Sequence, residues 1–293
     1  MKSIVLKDDF RVHEIRPKEE FKHYLNLIEK DIKKIFNNDA GVFLEKCPAC
    51  NSKDLNVSFQ KHFYTYYKCL NCKTFFVNPR PTQEMLDEFH KKSEGIHFWN
   101  SEIVQDSKQR KKHVIRPRVK WIFDNVDIYG KKEGRFLDFN SKYEIFLEEL
   151  VEQADFTDIF LSNPANEVQG LVGGNVQILE EKYPDNFFDV ITAFEVIDRI
   201  FDPRTALQTI YNTLNKGGLA YFTTLSGSGF DLRILKGHSR SLIPPIHLNL
   251  ISVEGMIDLL DNIGYEIVEM SSPGSLDVNL VENAINDKDK NIS

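Results

Sequence analysis

The sequence predicts an α/β protein: a parallel sheet with helices on both faces, preceded by a small module built on cysteines. Three observations carry this. From Arg135 onward short apolar runs alternate with helical stretches, a pattern that buries a parallel sheet between two helical layers. All 4 cysteines fall in two Cys-x2-Cys pairs, Cys47 with Cys50 and Cys69 with Cys72. The 293 residues, 41% hydrophobic and 28% charged, suffice for one sizeable core plus a satellite.

Residues 1–45 read as an extension with an extended start and an amphipathic helix over Phe21–Phe36, where apolar residues recur at helical spacing. Residues 46–80 read as a zinc ribbon. Eighteen residues separate the two cysteine pairs, the spacing at which two knuckles complete a tetrahedron of thiolates around a structural ion. Cys47, Cys50, Cys69 and Cys72 are therefore the expected zinc ligands, with disulfides as the alternative in an oxidising compartment. The aromatic and β-branched runs Asn56–Gln60 and Phe63–Lys68 supply short strands between them.

Residues 81–133 read as a helical linker or lid. Asn78, Pro79, Arg80 and Pro81 form a stiff connection, Thr82 caps a helix, and a later helix carries Val119, Trp121, Ile122 and Val126. Residues 134–285 form the main domain. Strands are expected at Arg135–Phe139, Asp158–Ser162, Val176–Leu179, Phe188–Phe194, Leu219–Thr224, Tyr265–Met270 and Leu276–Val281. Helices are expected at Pro203–Leu214 and Ser252–Ile263, the second closed by Gly264. Between the second and third strands a turn replaces a full helix, and residues 286–293 read as a frayed polar tail.

A formal charge of -7 argues against a general nucleic-acid binder, since that affinity comes from Lys and Arg. The basic stretch Lys108–His113 with Arg116 and Arg118 reads as a solvated helix face. No apolar run is long enough to cross a bilayer, and the start lacks a signal-like apolar region, so a cytoplasmic location is expected.

Two stretches resemble the class I S-adenosylmethionine-dependent methyltransferases. Phe188–Pro203 followed by Leu214–Thr224 looks like the fourth strand, its helix and the glycine turn into the fifth strand of that family. Pro244–Gly255 is similar to a segment of a subgroup that often carries an N-terminal cysteine-knuckle module. The resemblance runs from Arg135 to the last strand. It implies a Rossmann-like seven-stranded sheet of order 3-2-1-4-5-7-6, S-adenosylmethionine as cofactor, and a small molecule, sugar or lipid-linked intermediate as methyl acceptor.

In that family the first strand ends in an acid followed by a glycine-rich turn against which the cofactor packs. Here Asp138 keeps the acid, while Asn140, Lys142 and Glu144 stand at the glycine positions. Asn140 tolerates a left-handed backbone, whereas Lys142 and Glu144 are expected to require the turn to rearrange. At the end of the second strand Asn163 stands where an acid would accept the ribose hydroxyls, and it offers one acceptor instead of a charged pair. The cofactor-binding set implied by the resemblance is Asp138, Asn140, Asn163, Phe194 and Glu195. Its composition favours a divergent or non-catalytic member with impaired or lost cofactor binding, serving a small-molecule or protein partner; the alternative is an active methyltransferase.

The catalytic candidates are His247, as a general base, and Asp198. A structural histidine bonded to backbone is the other reading of His247. Glu195, Asp198 and Arg199 follow the fourth strand, where such folds present site groups, though acids also suit a helix start. Gly227, Gly229 and Gly237 mark a segment expected to move as a substrate lid.

Overall fold

The computed structural model describes residues 11–36, 41–105, 107–131, 133–153, 155–164, 166–179, 183–271 and 275–286. The expected extended start and the polar tail past 286 lie outside them. After a short α1 (Val12–Ile15), α2 (Lys18–Ile35) turns Tyr24, Ile28, Asp31 and Ile32 inward. Strands β1 (Leu55–Lys61), β2 (Tyr64–Cys69) and β3 (Phe75–Val77) follow as an antiparallel ribbon. Thr82 then caps α3 (Gln83–Lys92), its hydroxyl accepting from Met85 N at 3.3 Å. Ser93 caps α4 (Glu94–Phe98). Buried Asp31 accepts from Ser93 Oγ at 2.7 Å and Gly95 N at 2.9 Å, which docks α2 on α4. A π-helical turn over Trp99–Gln105, a helical turn α5 (Lys108–Arg110) and a second π-helical turn over Lys111–Ile115 lead into α6 (Arg116–Tyr129).

The main domain alternates as expected. Its elements are β4 (Arg135–Asp138), α7 (Glu144–Gln153), β5 (Asp158–Leu161), a 3-10 turn over Asn166–Leu171, β6 (Val176–Ile178), β7 (Phe188–Phe194), α8 (Pro203–Thr213) and β8 (Leu214–Thr223). Then come α9 (Phe230–Leu235), β9 (Asn249–Leu250), α10 (Val253–Ile263) and α11 (Ser275–Asn286). Strands β4 to β8 form a parallel sheet of order β6-β5-β4-β7-β8, with Leu137 opposite Phe160 on one side and Ile191 on the other. Phe136, Leu137, Val190 and Ile191 are fully buried in it; each such side chain contributes roughly 1.5–3 kcal/mol. The fold is Rossmann-like, and its crevice lies where β4 and β7 diverge to opposite directions of strand order.

The expected order 3-2-1-4-5-7-6 is corrected at its far edge. Five strands in the order 3-2-1-4-5 pair among the described residues, and no ladder includes 265–270. That segment lies against β8 through side chains instead: Tyr265 packs its ring 5.9 Å from Phe222 and donates to Leu207 O at 2.9 Å. The expected strand Leu276–Val281 is the helix α11. Leu276, Val278 and Leu280 alternate like a strand, but Val281, Ala284 and Ile285 continue the apolar pattern at helical spacing, and the longer period prevails.

The ribbon is not a detached bead. Its sheet runs β1-β2-β3-β9, so Phe75 pairs with Leu250 and Phe76 with Asn249 from the main domain. Cys47, Cys69 and Cys72 pack in one cluster with Ile197, Leu207, Met256 and Leu259. Arg80, expected in a linker, is fully buried and donates to Asn249 Oδ1 at 3.0 Å. In the segment expected to act as a glycine lid, a Cβ on Gly227 would stand 2.5 Å from Leu250 O, and one on Gly237 2.6 Å from Gln60 O. These two glycines permit close backbone contact with the ribbon sheet.

Candidate functional site

A cleft opens between the carboxyl ends of the parallel strands and the helices α1 to α6 and runs on along the β8 edge past residues 214–220 and 264–271, about 2190 Å³ in all. Its floor is the turn after β4. Asn140 takes φ 54, and no other residue of that turn has positive φ. Lys142 and Glu144 take no left-handed backbone in this turn, and Glu144 opens α7. Hydrogen bonds fix the turn: Asn140 N donates to Ser162 Oγ at 3.0 Å, and Ser141 Oγ to Asp138 O at 2.8 Å.

Asn163 lines the cleft and donates through Nδ2 to Asn140 Oδ1 at 3.0 Å, which leaves its own carbonyl oxygen as the acceptor it can offer at that position. Asp138 and Phe194 sit behind the wall of the cleft. Asp138 accepts from Thr192 Oγ1 at 2.7 Å, and burial pushes its carboxyl up to about 6. Phe194 packs 5.1 Å from Phe146 and lies beneath the Arg118 guanidinium at 5.3 Å.

Glu195 is the hub. It ends β7 with φ 56, a strained backbone for a side chain of this size, held by Glu195 N donating to Thr223 O at 2.8 Å. Its carboxylate accepts from Tyr143 OH at 2.6 Å, Arg118 Nη2 at 2.9 Å and Arg199 Nη2 at 2.9 Å, with Arg110 Nη2 at 3.5 Å. Burial alone would raise this carboxyl, but Arg118, Arg110 and Arg199 hold it well below the usual range. Arg110 is 4% exposed. The basic stretch expected to be a solvated face thus sends Arg110 and Arg118 inward, because α5 and α6 cover the cleft.

Asp198 and His247 meet one turn beyond. His247 Nε2 stands 3.7 Å from Asp198 Oδ2, and both residues are buried. Ile243 N donates to His247 Nδ1 at 3.0 Å, so the neutral ring carries its proton on Nε2, facing Asp198. Burial, then Arg199 and Arg16, hold this imidazole well below its ordinary pKa. His247 is therefore neutral with Nδ1 committed to the backbone and Nε2 within 3.7 Å of Asp198, beyond hydrogen-bond distance, while Asp198 keeps Oδ1 buried without a hydrogen-bond partner. Burial raises the Asp198 carboxyl against the pull of Arg199. Lys142 also faces this group; burial and Arg199 bring its ammonium down to about 8.

Among the sequence candidates, Asn140, Asn163, Glu195, Asp198 and His247 line the cleft. Sequence reasoning missed Arg16 and Tyr143, which have no motif around them and reach the cleft only through the packing of α1 and α7. At the ribbon, the Sγ atoms of Cys47, Cys50, Cys69 and Cys72 all lie within 4.8 Å of one another, which allows them to hold one metal ion. Cys47 to Cys72 is 3.6 Å and Cys50 to Cys69 is 3.5 Å, close to the roughly 3.8 Å edge of a tetrahedron with zinc-thiolate bonds of about 2.3 Å. Among the described residues no helix is long and apolar enough to cross a membrane.

Residues 107–270, more than half of the chain, match the family model described as a methyltransferase domain, and the chain belongs to that family. Among curated proteins it is similar to the ubiquinone biosynthesis O-methyltransferases of Pseudomonas fluorescens and Pseudomonas putida. Each is 28% identical over 135 residues, covering 42% of this chain and 56% of the relative. The chain thus spans about half the length of the curated relatives it matches. Similar solved structures include an S-adenosylmethionine-dependent methyltransferase from Mesorhizobium loti, with 10% identity, TM-score 0.42, and coverage of 54% of this chain and 84% of that one. Another is an S-adenosylmethionine-dependent methyltransferase from Leishmania major, with 16% identity, TM-score 0.42, and coverage of 54% and 65%.

Proposed function

We propose that the chain is a divergent S-adenosylmethionine-dependent methyltransferase that acts on an oxygen of a small molecule and holds its cofactor more weakly than a glycine-lined site would. One observation supports this: Asn140 takes φ 54, a left-handed backbone that glycine adopts readily, so at that position the asparagine stands in for a glycine. The hold is reduced at two points. Asn163 offers a single carbonyl acceptor because its amide is engaged with Asn140, and the Lys142 side chain stands in the crevice among Asp198, Glu195 and Arg199.

When bound, S-adenosylmethionine supplies an electrophilic methyl group on a sulfonium sulfur. The chain supplies the rest. Asp198, with an unpartnered Oδ1 and a raised pKa, is the group placed to take a proton from an acceptor hydroxyl, with the neutral His247 ring beside it, Nε2 at 3.7 Å. Helices α2 to α6 wall the cleft opposite the strand ends. The named activity of the curated relatives, O-methylation, supports oxygen as the nucleophile. We also infer that the four thiols hold a structural zinc, since a closed four-thiolate set leaves no open position for catalysis.

Titration calorimetry with S-adenosylmethionine and S-adenosylhomocysteine tests the reading. Saturable binding is expected in the wild-type chain, strengthened by Asn140→Gly with Asn163→Asp. Absence of binding in both proteins overturns it and leaves the second reading, a non-catalytic binder, which the presence of Lys142 in the crevice favours.

A further inference from the structure

Around Glu195 the cleft gathers more positive charge than that carboxylate neutralises. Arg110, Arg118 and Arg199 contact it directly. Arg16 approaches from the other wall, near enough to Arg110 to be repelled and to Glu195 to be attracted. Lys142 adds a further cation from the floor. Against these stand Glu195 and Asp198, with Asp231 beside Arg16 already accepting from Ser239 Oγ at 2.8 Å. The whole chain is acidic at -7, so this local excess runs against its composition.

The donors are also unfinished. Arg16 Nε, Arg110 Nε and Arg199 Nε are buried without hydrogen-bond partners. A buried guanidinium N–H left unpaired is costly, more so than for a neutral donor. Arg80 Nε is unpaired as well, at the ribbon junction, and Arg199 Nε has Asp198 Oδ2 at 4.0 Å, so Arg16 and Arg110 are the pair on the cleft that lack an acceptor at Nε. Arg16 and Arg110 share one platform, lying 6.0 and 5.5 Å from the Trp99 ring, and Arg16 is steadied by donating through Nη1 to Ser241 Oγ at 3.1 Å. Tyr24, Ile96, Ile243 and Ile246 provide apolar surface beside them. Arg16, Tyr24 and Trp99 all precede residue 107, outside the methyltransferase-domain match, so this part of the cleft belongs to the chain's own N-terminal elements.

We propose that this end of the cleft is an anion-binding site that seats a carboxylate or phosphate group of the acceptor molecule, with Arg16 and Arg110 as its main donors and the aromatic and aliphatic walls receiving an apolar body. This rests on reading the cleft as a methyl-acceptor site, which the experiment separates. A fully ionised oxyanion offers several acceptor lone pairs and matches the planar guanidinium fork, which a neutral sugar hydroxyl does not. The site thereby selects acidic acceptors, and Glu195 fixes the arginines in place before the ligand arrives.

The test uses the full chain and two probes, inorganic phosphate and benzoate. The protein has 2 tryptophans, so Trp121→Phe leaves Trp99 as a fluorescence reporter within the site. Saturable quenching by at least one probe is expected, and which probe binds tighter assigns the head group. Arg16→Met should weaken that binding at least about tenfold. Arg16→Lys, which keeps the charge but lacks the forked donor, should fall between, and it carries the test should Arg16→Met melt early. Affinity for S-adenosylmethionine should stay within about twofold of wild type in both variants. No saturable response to either probe, an unchanged affinity in the Arg16 variants, or a parallel loss of cofactor affinity would each overturn the proposal. Probe binding through Arg16 in a chain that binds no S-adenosylmethionine would sustain the anion site while rejecting the methyltransferase reading.

Discussion

Asn163 Nδ2 donates to Asn140 Oδ1 over 3.0 Å, tying the turn after β4 to the end of β5. Both residues take left-handed backbone, φ 44 and φ 54, which asparagine tolerates better than most residues. The pair is thus a substitute for the glycine and acid expected there, and its members depend on each other. Asn163→Asp alone would set a carboxylate against the Asn140 oxygen. The double variant Asn140→Gly with Asn163→Asp should therefore bind S-adenosylmethionine at least about tenfold more tightly than wild type, about 1.4 kcal/mol, and the single variants should not sum to it. Calorimetry on the four proteins measures the coupling, and additive single effects would show that the asparagine bridge has no part in cofactor affinity.

Glu195 neutralises part of the charge on three arginines, and its removal leaves them facing one another. Glu195→Gln should cost about 3 kcal/mol, at the low end for a broken buried pair because the side chain is 18% exposed. Adding Arg118→Met should return part of the loss. Urea unfolding of the single and double variants checks this; a Glu195→Gln chain as stable as wild type would mean that the cluster is screened by solvent.

The alternating pattern from Arg135 made the parallel sheet legible, and the spacing of Cys47, Cys50, Cys69 and Cys72 made the ribbon legible, because both are local signals. Strands at the sheet edge were harder. Residues 265–270 alternate in exposure like a strand but lack a paired neighbour, and pairing is a tertiary fact that no short window contains. The cleft was half readable. Glu195 and Asp198 follow a recognisable strand end and His247 stands in a loop before a clear helix, whereas Arg16 comes within electrostatic reach of Glu195 across the fold with nothing in its own surroundings to mark it. Arg110 and Arg118 look solvated in sequence because a charge run carries no record of what packs over it.

Zinc is expected in protein prepared under reducing conditions, and Cys69→Ser should lose it. The pairing of Phe76 with Asn249 carries the ribbon sheet into β9, so the loss should be felt beyond the ribbon itself. Hydrogen exchange should quicken at residues 249 and 250 while β4 and β7 stay protected. Metal-free wild-type protein would reject the zinc assignment, and unchanged exchange at 249 and 250 would show that β9 is held by α10 and the main domain alone.

The carboxyl of Asp138 makes stability depend on pH. Burial pushes it from 3.8 up to about 6, so between these values the folded chain holds a proton that the unfolded chain has released. Stability from this group is full below about pH 4 and declines as pH rises through 6, by about 3 kcal/mol at 1.36 kcal/mol per unit. Glu195 acts in the opposite direction, since its carboxyl is held well below the usual range and its stabilisation disappears on acidification. Comparing Asp138→Asn with wild type cancels Glu195, which both proteins share. The amide can still accept from the Thr192 hydroxyl that now bonds Asp138 Oδ1 at 2.7 Å. Relative to wild type, the variant should therefore gain stability steadily from about pH 4 to pH 6 and hold a constant advantage above pH 7. Denaturant unfolding at four or five pH values measures the difference. A gap independent of pH would mean that Asp138 titrates as an ordinary solvated carboxyl, and that the acid at the end of β4 is held for its charge and not as a neutral partner of Thr192.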